Sequence, residues 1–453
     1  MNKLRKALLF LFLICLNGSV VLLAEEDLYL KYKTLVQQFP DNPVYHYNLG
    51  IILAERGNLS EAEKEVEKAA ELEEKPEFYY SLGMIRKDLG KVDEAIVSFK
   101  KALSLKPDYV DVFLPLARLL HKKGKDDEAL RYLESGLILA PDNVDMLMLD
   151  ARISGEMGLF SRTINDLKHV VQIDPSNLEA HYFLYQVYFN LGNFDLALKE
   201  IFFVETLDPR NYKVYLEKGR VLQKMKRYSE SRKALEKAIK LNPGCSICYS
   251  ILAMDLYFLK DYAGALLNFK KSLQIHYDET VASNYSKLLS YISAVTLDMM
   301  NGSNLDKAEK YARLLVQVEP ANPSYMVLLG MVLLNKGECE ESIRILSEAV
   351  EKEYSKPEVV YYNQGICYFK LGKYNEAEKV YEKVVRKRPD FAEAWYNLGS
   401  TYEKEGKKEK AILAYLRFIS LKPDSTLVPL VKHKISVLRG SLTHTSTSVD
   451  GQP

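Results

Sequence analysis

Small, bulky and helix-breaking residues recur along this chain in one fixed register. The pairs Leu49-Gly50, Leu82-Gly83, Leu329-Gly330 and Leu398-Gly399 set it, with Leu116-Ala117 and Leu252-Ala253 as variants. With the second residue of each pair at position 8, units begin at residues 43, 76, 110, 144, 178, 212, 246, 289, 323, 358 and 392. The interval is 34 residues in most cases, 33 and 35 once each, and 43 once. An interval between about 20 and 50 residues marks an array of supersecondary units, each too small to bury its apolar face alone.

Within a unit the pattern predicts two helices. Position 20 is small throughout: Ala62, Ala95, Ala129, Thr163, Ala197, Ser231, Ala265, Ala308, Ser342, Ala377 and Ala411. Two helices must cross closely there. Position 24 is bulky, as in Phe99, Leu133, Leu167, Ile201, Leu235, Phe269, Tyr381 and Tyr415, and fills the space against neighbouring helices. Position 32 is proline in eight units, at Pro107, Pro141, Pro175, Pro209, Pro243, Pro320, Pro389 and Pro423. Proline has no backbone N–H and disfavours helix in the residue before it, so it ends the second helix. Gly57-Asn58, Gly90-Lys91, Gly192-Asn193 and Gly372-Lys373 break the chain between the two helices.

The run Ala394-Trp395-Tyr396-Asn397-Leu398-Gly399, followed by Tyr402, Gly406, Ala411, Tyr415 and Pro423, resembles the tetratricopeptide repeat. The unit with Tyr361, Gly365, Tyr368, Gly372, Ala377, Tyr381 and Pro389 resembles it nearly as well. The resemblance covers residues 43–424. It implies an all-α fold, a right-handed superhelical solenoid of about eleven helix-turn-helix repeats, whose first helices line a concave groove through positions 2, 5, 6, 9, 12 and 13. Tyr47, Tyr80, Tyr182, Tyr362 and Tyr396 at position 5, Asn48, Asn363 and Asn397 at position 6, and Phe189 and Phe369 at position 12 are then the candidate partner-binding residues. Tyrosine, with methionines such as Met84 and Met254 at position 9, suits adaptable contact with a peptide, and asparagine suits hydrogen bonds to its backbone. Tyrosine and asparagine also belong to the generic repeat, so a packing role competes. Groove charges are mixed: Arg118, Arg152 and Arg220 against Asp111, Asp145, Glu179 and Glu217. The lysine and asparagine clamp by which chaperone-binding members of the family hold a C-terminal carboxylate is not reproduced in any three adjacent units.

Departures from the pattern are informative. The 43-residue interval places an insertion near 280–288, either lengthening a first helix or bulging from the array. Tyr185 stands at position 8, where a small residue is expected, and should push helices apart. Glu74, Tyr277 and Tyr354 replace the stop proline. Residues 25–42 read as a half repeat with one helix, Leu28 to Phe39; residues 425–439 read as a closing helix, and the Ser/Thr-rich 440–453 as a flexible tail.

Residues 1–24 read as an address. Lys3, Arg5 and Lys6 precede Ala7 to Leu16, ten residues without a polar side chain. This reads as a signal peptide with cleavage after Ala24, or, uncleaved, as a signal anchor, since Ala7 to Ala24 is 18 residues and a span needs roughly 17 to 25. Lipidation at Cys15 is a third possibility, disfavoured by Ile14. The expected location is outside the cytoplasm, periplasmic or associated with the cell envelope, with membrane contact only through an uncleaved segment.

Composition narrows the function classes. With 453 residues, the usual prior of about 150 residues per domain would give three domains, which the repeat replaces with one array. Lys plus Arg number 62 against 61 Asp plus Glu, so no global field draws the chain to nucleic acid. Phosphate-binding glycine loops, metal motifs and nucleophile elbows are absent, and the seven histidines are scattered. His46 and His181 share position 4 with Tyr or Trp elsewhere and read as packing residues. No catalytic residue, metal, cofactor or small-molecule substrate is expected. Cys245-Ser-Ile-Cys248, at a predicted helix start, reads as a possible disulfide, with a reactive dithiol as the alternative. The function expected is a non-catalytic scaffold or adaptor of the cell envelope, binding a protein or peptide partner in the groove. The alternative is a thiol-redox protein or the targeting subunit of an envelope enzyme.

Overall fold

The computed structural model describes residues 18–302 and 304–446. Residues 1–17 of the address and 447–453 of the tail lie outside them. The described residues hold 24 helices and no strand, and form an α-solenoid of helix pairs. A first helix of 13 residues and a second of 14 alternate, as in Pro43–Glu55 and Leu59–Leu72 or Ala392–Lys404 and Lys408–Leu421.

The turn between paired helices has one conformation. Position 15 is left-handed at Gly57, Gly90, Gly124, Gly158, Gly192, Gly337, Gly372 and Gly406, with φ between 70° and 87°. Lys226 and Lys260 take the same conformation at φ 59° and 63°, where an L side chain costs about 1–2 kcal/mol. Glycine recurs there because the backbone requires it, since nothing lies within 4 Å of a Cβ built at Gly57, Gly90 or Gly192.

The close crossing follows the sequence. All eleven position-20 residues have zero exposure. Position 8 meets position 24 of its own unit: a Cβ on Gly50 would stand 2.5 Å from Val66, one on Gly83 2.7 Å from Phe99, and one on Gly365 2.5 Å from Tyr381. Where serine replaces alanine at position 20, its hydroxyl donates to the position-8 carbonyl, Ser231 to Gly219 at 2.9 Å and Ser342 to Gly330 at 2.7 Å. Tyr185 is buried, its ring against Tyr182 and Phe189 on its own helix.

First helices begin at a side-chain cap just beyond the stop. Asn42, Asn143, Asn177, Asn211 and Asn322 each accept a backbone N–H from the first turn. The stop is itself bonded: His46, His181 and Trp395 at position 4 place a ring nitrogen 2.8, 3.2 and 3.0 Å from the carbonyls of Pro40, Pro175 and Pro389. The two histidines also contact Glu65 and Glu200, at 2.6 and 2.7 Å.

The insertion is helical. Glu279–Asn301 is one helix of 23 residues, with Leu288, Leu289 and Ile292 in the core and the Tyr285 hydroxyl 2.5 Å from Glu319. At the ends the helices exceed the lengths read from sequence. Gly18–Gln38 is continuous through residues 24 and 25. Val428–Ser446 continues past Gly440, because one glycine costs only about 1 kcal/mol in a helix and no proline follows before residue 453. Among the described residues no helix is long and apolar enough to cross a membrane. The chain divides into two compact units, 1–209 and 210–453, each with its own apolar clusters.

Candidate functional site: the first-helix face

Position 5 of the first helix carries the aromatic row anticipated above, and the structure shows what holds it. In the unit 1–209, the Tyr47 ring lies 4.7 Å from Phe78 and its hydroxyl 3.1 Å from the Ser81 hydroxyl, at position 6 of the next repeat. Tyr80 packs 5.3 Å from Tyr109, and burial, with Asp111 beside it, raises its hydroxyl above the ordinary phenol value. Asn48 is half-buried on the same helix as Tyr47. Tyr182 and Phe189 are joined through the buried Tyr185 ring, at 5.6 and 6.0 Å.

In the unit 210–453 the pattern recurs. Tyr362 lies 4.7 Å from Phe391, and Asn397 donates from Nδ2 to its hydroxyl oxygen at 3.3 Å. Tyr396 packs 5.4 Å from Phe418, and Phe369 5.3 Å from Tyr374. Asn363 differs from the expectation of an amide offered to a peptide. It is 8% exposed, and its Nδ2 donates to the Val359 carbonyl of its own helix at 2.8 Å. Much of the aromatic row therefore couples one repeat to the next, and offers ring faces more than hydrogen-bonding groups.

Three repeats of the unit 1–209 line an open recess of about 430 Å³. Tyr80, Met84 and Lys87 of one repeat, Val110, Asp111, Leu114, Pro115 and Arg118 of the next, and Asn143, Asp145 and Met146 of the third line it. Most of these hold the groove positions inferred from sequence. Lys87, Val110, Pro115, Asn143 and Met146 were not singled out there, although Pro115 was legible as a proline inside a helical stretch. Having no N–H, it leaves the Asp111 carbonyl without its intrahelical donor. Arg118, Asp111 and Asp145 are exposed and make no ion pair among the described residues, whereas Lys87 contacts Asp88 at 3.2 Å. The recess thus combines an apolar floor with one available cation and two available carboxylates.

Two buried polar clusters also escaped the sequence reading. Asp150, 1% exposed, stands at position 7, where most repeats carry leucine, and Arg162 donates to both its oxygens at 2.6 Å. Burial, then the Asp150 charge, pushes Asp166 up to about 8, and its Oδ2 is buried without a hydrogen-bond partner. Asp255, fully buried, accepts from Gln223 at 2.8 Å, and burial raises its carboxyl as well. A charged residue at a leucine position was the available signal for the first cluster.

Cys245 and Cys248 form a disulfide, and the Cys245 sulfur accepts the Cys248 N–H at 3.2 Å, in the place where other repeats use an asparagine cap. Both are buried. No group of three or more His, Cys, Asp or Glu among the described residues is arranged to hold a metal ion.

Family models described as tetratricopeptide repeat match residues 31–77, 88–153, 212–245 and 362–426. One described as anaphase-promoting complex, cyclosome, subunit 3 matches residues 301–384. No curated protein sequence matches the chain. Among solved structures, the MamA protein is 24% identical over 37% of this chain and 91% of its own, with a TM-score of 0.35. A tetratricopeptide repeat protein from Parabacteroides merdae is 19% identical over 57% and 98%, TM-score 0.36, and yeast Tom70 is 15% identical over 90% and 97%, TM-score 0.31.

Proposed function

Since the chain is an array of tetratricopeptide repeats, a fold that serves as a protein-interaction scaffold, we propose that it holds a segment of a partner protein against the first-helix face of residues 76–156. The observation that carries this reading is the 430 Å³ recess, lined at groove positions of three successive repeats and furnished with unpaired charges. An apolar side chain of the segment enters between Met84, Leu114 and Met146, while its polar flanks meet Arg118 on one side and Asp111 and Asp145 on the other. The tyrosine rows outside the recess supply ring faces along the segment's path.

A photo-crosslinking side chain at Leu114, compared with one at the exposed Val97 on the second helix of the preceding repeat, tests this in the native cell. The Leu114 probe is expected to capture a defined partner that the Val97 probe does not. Equal capture from both positions would overturn the groove reading.

Export to the cell envelope is part of the same proposal, supported by the basic and then apolar run from Lys3 to Leu16. Fractionation with mass spectrometry of the N-terminus tests it. A chain in the cytoplasmic fraction that retains Met1 to Ala24 is the contrary result.

A further inference from the structure

The remaining cysteines of the described residues lie 28 positions apart in sequence, yet share one apolar cluster with Leu334. Cys339 opens the helix Cys339–Glu351, the second helix of the ninth repeat. Cys367 sits in Pro357–Lys370, the first helix of the tenth. They are 4% and 0% exposed. Both thiols pack with Leu334, Ile343 and Ile366, and the groups that act electrostatically on the Cys367 thiol are Ser342, Cys339 and Lys370. Burial is the main cause that pushes this thiol up to about 12, so it stays protonated and inert while the helices remain packed.

We propose that Cys339 and Cys367 are a redox-sensitive cross-link site joining the ninth and tenth repeats, open to small disulfides only when those repeats part. The cross-link differs in kind from Cys245–Cys248, which spans three positions and secures a cap within one turn. A bond between Cys339 and Cys367 ties two separate helix pairs, and so fixes a repeat–repeat interface that otherwise opens. With oxidised glutathione as oxidant, one protein thiolate attacks a sulfur of the glutathione disulfide and expels one glutathione thiolate. The second protein thiolate then attacks the resulting mixed disulfide and expels the other. Two protein thiols are oxidised, one glutathione disulfide is reduced to two thiols, and the two protons pass to the leaving thiolates.

The test uses the full chain with oxidised glutathione, in buffer and in sub-denaturing urea, mapped by mass spectrometry of unreduced peptides. The expected product carries a Cys339–Cys367 bond and has lost two hydrogens. It should form several-fold faster in urea, and its thermal midpoint should rise by a few degrees, a shift that reductant reverses. Cys339→Ser should give no such bond and no midpoint shift. Recovery of Cys339 and Cys367 as free thiols in both conditions, or as mixed disulfides that never resolve, would overturn the proposal. So would a rate independent of urea, which would mean that the pair is reached without any opening.

Discussion

At the scale of single residues, the tightest requirement lies where position 8 meets position 24. A methyl group on Gly365 would stand 2.5 Å from the Tyr381 ring, which is almost wholly buried and has nowhere to retreat. Gly365→Ala is therefore expected to destabilise the unit 210–453 by about 1–3 kcal/mol, read as a lower urea midpoint at unchanged slope. The acid pair supplies a pH test. Asp166 titrates near 8 in the folded chain against an ordinary value of 3.8, so the unfolded chain releases its proton first. The contribution is complete below about pH 4 and is lost as pH rises through 8. Asp166→Asn should flatten that decline. Denaturation at pH 5 and pH 9 measures it, and equal slopes in both proteins would refute the assignment. These residues also show what was legible. Position 20 was readable because eleven copies agree on one constraint. Asp150, Arg162 and Asp166 were not, because their cluster occurs once and joins residues 12 to 16 apart that no period marks.

At the scale of elements, the ends of helices carry most of the local specification. Asn177 accepts the Ala180 N–H at 3.0 Å, so Asn177→Ala should cost about 1 kcal/mol, measured by chemical denaturation. The Cys245–Cys248 bridge acts at the equivalent place in its own repeat. Replacing both cysteines by serine keeps an oxygen cap and removes the staple. By loop-closure arithmetic for so short a ring the expected loss is about 2 kcal/mol, with partner capture at the groove unchanged. Loss of capture would favour a redox role for the pair. Helix starts were legible here from the stop prolines, while the asparagine caps just beyond them came with the structure. The far ends were not: Val428–Ser446 continues through Gly440 because a polar, Ser/Thr-rich composition does not forbid helix. The candidate site was legible as a set of positions, but the spending of Asn363 on its own helix was not, since the same amide can face either way.

For the whole molecule, near-neutrality now has a structural cause. Charges on neighbouring repeats are matched: Glu63 with Lys91 at 2.7 Å, Glu128 with Lys100 at 2.5 Å, Glu309 with Lys336 at 2.5 Å, Glu341 with Arg313 at 2.9 Å, and Glu378 with Lys407. Most of these are partly exposed, so solvent and salt screen them and each adds little to stability. Stability instead sums over repeats and their interfaces. Because the two compact units have separate clusters, residues 25–209 and 210–453 expressed apart are each expected to be helical and to melt cooperatively by circular dichroism. A fragment that melts without a transition would refute this. That division was not legible, since Pro209 looks like every other stop.

The contact between positions 8 and 24 is internal to a repeat, as Gly50 with Val66, Gly365 with Tyr381 and Gly399 with Tyr415 show. Each block of 34 residues thus carries both halves of this one fit, so duplicating or deleting a whole block leaves the 8-to-24 contact intact in every remaining repeat. What such an event would disturb is the correspondence between blocks: Tyr47 with Ser81, Tyr362 with Asn397, Cys339 with Cys367. Those pairs form only when these particular blocks are neighbours, so they distinguish the native order of the array from a shuffled one.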